Sequence, residues 1–196
     1  PDGWRAAALI LERVAGEGGI GEELDQAAQD DAWDTAVVLA RTLTDEERAI
    51  LGTSPAALSL GDTGRATAAA IARAAGADAG FIGHTTLGTG LPAGPVSRYA
   101  FDAVVRFEGK LMVAEVSRER LAGFMARANQ DRPMPLADCN GDFLYAAVLG
   151  EPAGQTVRIA TTDWNATNQA EYFGAKDLAF REIEGLPPVT ILEGSG

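Results

Sequence analysis

A chain of 196 residues is long enough for one domain with a proper core, or for one domain with an appendage. With 46% hydrophobic and 22% charged residues, its composition argues against wholesale disorder. A net charge of −12 argues against nucleic-acid polymers and anionic membrane surfaces, yet permits a small anionic ligand in a locally basic pocket.

Residues 4–15, WRAAALILERVA, combine strong helix formers with Trp4, Ala8, Leu11 and Ala15 at helical spacing, and the glycines of 16–21 end the segment. A second helical stretch covers 22–42, and Thr44 is placed to cap the segment TDEER. Residues 1–45 therefore read as a helical lead-in or interdomain connector, and 46–196 as the domain proper.

From 49 onward, apolar runs alternate with helical stripes. AILGTS (49–54) reads as a short strand. Asp62 or Thr63 is expected to cap a helix that runs to about 75 and stops at Gly76. Its buried stripe is mostly alanine, which suits close packing on a sheet. DAGFIG (78–83) reads as a strand, PAGP (92–95) as a turn, Ser97–Val104 as a short helix, and KLMVAEV (110–116) as an apolar strand.

Ser117 is expected to cap the next helix, in which Leu121, Phe124, Met125 and Ala128 share one face. Residues 129–142 read as loop, with a turn at Asn140-Gly141. FLYAAVL (143–149) and TVRIATT (156–162) are strands joined across a Gly/Pro turn. Asp163 caps a helical segment ending near Gly174, and VTIL (189–192) is a last strand. This mixture predicts an α+β (mixed α/β) fold.

Self-sufficient catalytic machinery is missing from the sequence. His84 is the single histidine, so Ser-His-Asp and Cys-His arrangements would all depend on it. No GxSxG elbow is present, and Lys110 and Lys176 do not stand in a phosphate-loop setting. Gly83-His84-Thr85 lacks the further His and Asp ligands of a two-metal centre, so no catalytic and no metal-binding residue is assigned. Cys139 is alone and reads as a free thiol. No apolar run approaches the roughly 18 residues of a membrane span. No signal peptide is visible, and a start at Pro1 without methionine is expected of an excised or processed piece.

Three ordered stretches resemble the C-terminal domain of the 5′-nucleotidase family. They are AILGTSPAALSLGDTGRATAAAIARAAGADAGFI, LPAGPVSRYAFDAVVRFEGKLMVAEVSRERLAGFM and VRIATTDWNATNQAEYFG. The resemblance implies a nucleotide-recognition domain of a two-domain phosphoric ester hydrolase in nucleotide catabolism. The divalent metals would sit in an upstream metallophosphatase domain, and this chain alone would need no cofactor and be inactive. A nucleotide or related small molecule is the implied ligand, and a periplasmic or extracellular location is suggested.

By position, the resemblance places one base-stacking ring at Phe107 and the other at Tyr172, with Phe173 as the neighbouring candidate. The substrate loop, NGGGIR in the family, falls on Gly83, His84, Thr85, Thr86, Leu87 and Gly88, and Asp163 belongs to the last signature. Here the family's asparagine becomes Gly83 and its substrate-binding arginine becomes Gly88, while a further arginine lines up with about Ser59. The family's GGDGY becomes NQAEY, replacing a glycine turn with helix-favouring residues. These departures leave a different ligand, or a degenerate domain used for scaffolding or protein association, as alternatives.

Overall fold

The computed structural model describes residues 43–107, 109–139, 141–152 and 154–183. The expected helices over 4–15 and 22–42, the strand over 189–192, and nearly all of the expected lead-in therefore lie outside the described residues. Two compact units are present: one of residues up to Ile50 with Ser97–Tyr99, the other of Leu51–Val96 with the chain from Ala100 onward.

In the first unit the described chain forms helix α1 (Asp45–Arg48), closed by the cap expected at Thr44. Thr44 Oγ1 accepts from the Glu47 N–H at 3.2 Å, and the Glu47 carboxylate accepts from the Thr44 N–H at 2.6 Å. That reciprocal pair satisfies two amides which the first turn of a helix leaves without partners. The Thr44 N–H also holds the Glu47 carboxyl below the usual carboxylate range. Within the same unit, the Arg98 N–H donates to the Ala49 carbonyl at 2.9 Å.

The elements that follow are β1 (Ile50–Ser54), α2 (Leu60–Ala74), β2 (Ala79–Gly83), β3 (Gly94–Ser97), α3 (Arg98–Val104), β4 (Leu111–Ser117) and α4 (Arg118–Arg127). Then come β5 (Leu144–Val148), β6 (Thr156–Thr162), α5 (Asp163–Thr167), α6 (Gln169–Tyr172) and β7 (Arg181–Glu182). Strands β1 and β3 make a two-stranded sheet, and the others a five-stranded sheet in the order β5-β2-β6-β4-β7. The fold is α+β, as the sequence predicts. Strand β3 occupies residues expected to be a turn, and α3 starts one residue later than expected.

The large sheet is mixed. β2 runs antiparallel to β5 and parallel to β6, and β4 runs antiparallel to β6 in a register that sets Leu111 opposite Thr162. The expected neighbours β5 and β6 are thus separated by β2, and the Gly/Pro segment between them is a crossing rather than a hairpin turn.

Alternation along the strands builds two cores. Phe81, Ala114, Val116, Leu144, Ala146, Val157 and Ile159 face α4 with its Leu121 and Phe124. Ile82, Leu111, Val113, Tyr145 and Ala160 face the opposite way, onto Ala68, Ile71 and Ala75 of α2 and its end. The alanine stripe of α2 has a specific counterpart: a Cβ at Gly80 would lie 1.9 Å from the Ala68 carbonyl oxygen. Helix and strand are therefore in backbone contact.

Helix α2 is capped by Ser59, whose Oγ accepts from the Asp62 N–H at 3.1 Å, rather than by Asp62 or Thr63 as expected. Asp62 sits in the first turn and accepts from the Ser59 hydroxyl at 2.7 Å, while Thr63 Oγ1 accepts from the Leu91 N–H at 2.8 Å. Gly76 ends the segment at φ +56°, as expected. A third, smaller cluster of Leu91, Val96, Phe101 and Val104 packs beside the two-stranded sheet.

Candidate functional site

The C-terminal ends of the parallel strands β2 and β6 lie side by side, and each continues into a short helical turn. After β2 the chain forms a 3-10 turn over His84–Thr86, and after β6 it forms α5. Asn165 of α5 ties the two together. Its side chain is fully buried, and Oδ1 accepts from the Gly83 N–H at 3.0 Å and from the Thr162 hydroxyl at 2.9 Å. A Cβ at Gly83 would lie 2.8 Å from Asn165 Nδ2, a nitrogen with no hydrogen-bond partner among the described residues. Nothing in the sequence pattern singles out Asn165.

The lone histidine is locked into the scaffold. His84 stacks on Phe143 with ring centroids 4.3 Å apart and planes at 8°. Its backbone N–H donates to the Phe143 carbonyl at 3.0 Å, and its Nδ1 lies 3.3 Å from the Phe143 backbone nitrogen. Thr85 is exposed, with Oγ1 3.4 Å from the Tyr172 hydroxyl, and Thr86 is buried, its carbonyl accepting from the Arg106 N–H at 2.9 Å. Gly88 donates to the Val104 carbonyl at 3.0 Å, and Leu87 bridges Val105, so the 86–88 strip runs alongside 104–106.

The aromatic candidates divide sharply. Phe107 is 60% exposed, and the Arg106 guanidinium lies over its ring at 5.4 Å from the centroid. Tyr172 is 5% exposed and Phe173 only 2%. Phe173 lies edge-on to Phe81 and Phe124 at 5.2 and 5.1 Å, in the core beneath the sheet. Neither Tyr172 nor Phe173 has an open face on which a base could lie. Apolar burial holds both rings inward, because α6, formed by the NQAEY sequence, packs them against β2 and α4.

A different ring is free. Trp164 is 63% exposed and follows Asp163, which is the first residue of α5 and not its cap as expected, the cap position falling to Thr162. Asp163 Oδ1 accepts from the Trp164 N–H at 2.9 Å, and the Asp163 N–H donates to the Lys110 carbonyl at 2.9 Å. A Cβ at Gly109 would come within 2.8 Å of Asp163 Oδ1. Gly109 and Lys110 therefore meet Asp163 where the Leu111–Thr162 register ends, and Phe107 and Trp164 lie toward the same end of the β4–β6 pair. The sequence does carry a signal for Trp164: a large ring directly after the first turn residue of a helix, outside any apolar stripe.

No group of three or more His, Cys, Asp and Glu side chains able to hold a metal ion occurs among the described residues. The described residues at this end of the sheet do not fit a two-metal centre.

No protein-family model and no curated protein matches the sequence. Among solved structures the chain is similar to a 5′-nucleotidase precursor from Thermus thermophilus. That match has a TM-score of 0.51 and 12% identity and covers 79% of this chain and 37% of that one. It is also similar to the NAD nucleotidase of Haemophilus influenzae (TM-score 0.49, 13% identity, 80% and 36% covered). A 5′-nucleotidase from Candida albicans matches at a TM-score of 0.48 and 8% identity, with 83% and 42% covered. The likeness to the Thermus thermophilus structure is one of fold, and this chain spans under half the length of each of those structures.

Proposed function

We propose that this chain is the nucleotide-recognition domain of a 5′-nucleotidase-type phosphoric ester hydrolase, and that it holds the base on Phe107 and Trp164. One observation carries this reading: two rings, each about three-fifths exposed, stand at the same end of one strand pair. Exposing two large aromatics is unfavourable for an isolated fold, and a planar ligand that stacks on them removes that cost. Stacking is worth roughly 1–3 kcal/mol per base and tolerates different bases. The fold shared with the Thermus thermophilus enzyme supports the same assignment. In this reading the metal-bearing hydrolytic domain is a separate part of the full enzyme, and this chain alone does not hydrolyse nucleotides.

Trp164 supplies its own readout once Trp4 and Trp33, the other two tryptophans, are replaced by Phe. Titration with adenosine, AMP and a UDP-sugar is expected to give saturable quenching with at least one ligand. Phe107→Ala should weaken that affinity by about tenfold. Flat titrations with all three ligands would refute the reading, as would robust metal-dependent hydrolysis of AMP by this chain alone.

A second reading, a degenerate domain serving association rather than ligand binding, is favoured by a separate observation. His84, Thr86, Tyr172 and Phe173 are all engaged within the scaffold or buried in it. The same titration separates the two readings.

A further inference from the structure

We propose that the outer edge of β5 is a pairing surface for a second copy of this chain, kept shut by the side chain of Asn129. The proposal is independent of the stacking reading above.

Strand β5 ends the five-stranded sheet, and among the described residues no strand stands beyond it. The Leu149 N–H donates to the Asp78 carbonyl at 2.7 Å, and the His84 N–H donates to the Phe143 carbonyl at 3.0 Å. The odd-numbered residues from 143 to 149 therefore bond toward β2, and Leu144, Ala146 and Val148 turn their backbone groups outward. Asn129 meets them there. Its N–H donates to the Leu144 carbonyl at 2.8 Å. Its Oδ1 accepts from the Ala146 N–H at 3.0 Å, and its Nδ2 donates to the Ala146 carbonyl at 3.2 Å. One amide side chain makes both bonds that a neighbouring strand would make with Ala146.

Holding the amide there takes an uncommon backbone. Asn129 has φ 54°, the one positive φ outside glycine among the described residues, in a region that asparagine enters more readily than most side chains. Two residues on, Asp131 latches the segment to α2: Arg65 Nη1 donates to both of its carboxylate oxygens at 3.0 Å. A Cβ at Gly61 would lie 1.9 Å from Asp131 Oδ2, so the carboxylate rests where a side chain on the first turn of α2 would begin. The segment 129–131 is thus fastened to β5 at one end and to α2 at the other.

The strand behind this closure suits a copy of itself. LYAAV carries no charge, proline or glycine, the composition that pairs readily with another strand. No charged residue occurs between Asp142 and Glu151. Antiparallel pairing about Ala146 sets Leu144 opposite Val148 and Ala146 opposite its counterpart, as a two-fold axis requires. The central pair would exchange the same two backbone groups that Asn129 now holds, so the side chain and the second copy compete for one place.

Sedimentation velocity and amide hydrogen exchange of the full chain, at low and high protein concentration, test the proposal. The variants are Asn129→Gly, Asp131→Asn and the double change Asn129→Gly with Val148→Pro, each checked by thermal melt. Glycine accepts the positive φ, so N129G keeps the backbone path and removes the amide. N129G should self-associate about tenfold or more tighter than wild type, the worth of the displaced hydrogen bonds, with D131N between the two. In N129G the Ala146 amide should exchange freely at low concentration and regain protection at high concentration, whereas a loss of local structure alone would leave it unprotected at both. Val148→Pro removes an N–H that points to the edge and should return N129G to the monomer. An N129G that associates no more than wild type, an Ala146 amide that stays unprotected at high concentration, or association that survives Val148→Pro overturns the proposal. Should N129G fail to fold, D131N against wild type decides in the same way.

Discussion

Replacing one ring of the aromatic set with alanine should cost stability, and replacing another should not; the contrast tests the division between core and site. Phe173 is 2% exposed, edge-on to Phe81 and Phe124 at 5.2 and 5.1 Å and tilted against Phe180 at 5.7 Å. Truncating a buried Phe costs about 3–5 kcal/mol, and each edge-on ring partner adds roughly 0.5–1.5 kcal/mol beyond area burial. With two such partners, Phe173→Ala belongs at the upper end, about 5 kcal/mol. Phe107 is 60% exposed, with the Arg106 guanidinium over its ring at 5.4 Å, so Phe107→Ala should stay within about 0.5 kcal/mol of wild type. Urea denaturation followed by far-ultraviolet circular dichroism reads both. At about 2 kcal/mol/M, the Phe173→Ala midpoint should fall by about 2.5 M, or the variant should be unfolded without urea, while Phe107→Ala moves by less than about 0.3 M. A Phe173→Ala loss below about 1 kcal/mol, or a Phe107→Ala loss above about 2 kcal/mol, would show the two rings have been assigned the wrong way round.

Gly80→Ala puts a Cβ 1.9 Å from the Ala68 carbonyl, with backbone on both sides of the contact, so overpacking of about 3 kcal/mol or more should lower the melting temperature. Thr63→Val keeps the shape of a fully buried side chain but strips the Leu91 N–H of its acceptor, a loss of about 1–3 kcal/mol visible in the same melt. Asp62 is held below the usual carboxylate range by the Ser59 hydroxyl and then by Arg65, and Asp177 by Arg120. Depressed carboxyls add stability above their unfolded value near pH 4 and lose it as pH falls through the folded value. Melting temperature should therefore drop below about pH 4, and the fall should be shallower in Asp62→Asn and Asp177→Asn.

Much of this fold is legible in the residues. Runs such as DAGFIG, KLMVAEV and TVRIATT carry their own strand signal, and Ser117 and Thr44 cap helices where side-chain chemistry requires it. Ser59 escapes a sequence reading that favours Asp62 because both have acceptor side chains within one turn, and only the path of the chain decides which amide is free. The separation of β5 from β6 is invisible for a different reason. Sequence proximity favours a hairpin, and the pairing with β2 is won by burial of both its faces. At the site, NQAEY does form the helix its residues favour, but composition does not say which rings a short helix turns inward. Tyr172 and Phe173 go to the core and Trp164 to the surface.

The position of β2 governs the order of events as the chain is made. All five of its residues are buried, and it rests between β5 and β6. Its partner contacts on β6 come late: the Thr161 hydroxyl donates to the Phe81 carbonyl across 80 residues of chain. At about 5–20 residues per second, a ribosome needs roughly 4–16 s to deliver those partners. Throughout that interval α2, β2 and then β5 can assemble, but one edge of β2 stays open and apolar, ready to accept any strand that passes. A chain cut between β5 and β6 would remain in that state, and a peptide carrying residues 156–162 is the natural piece to close it.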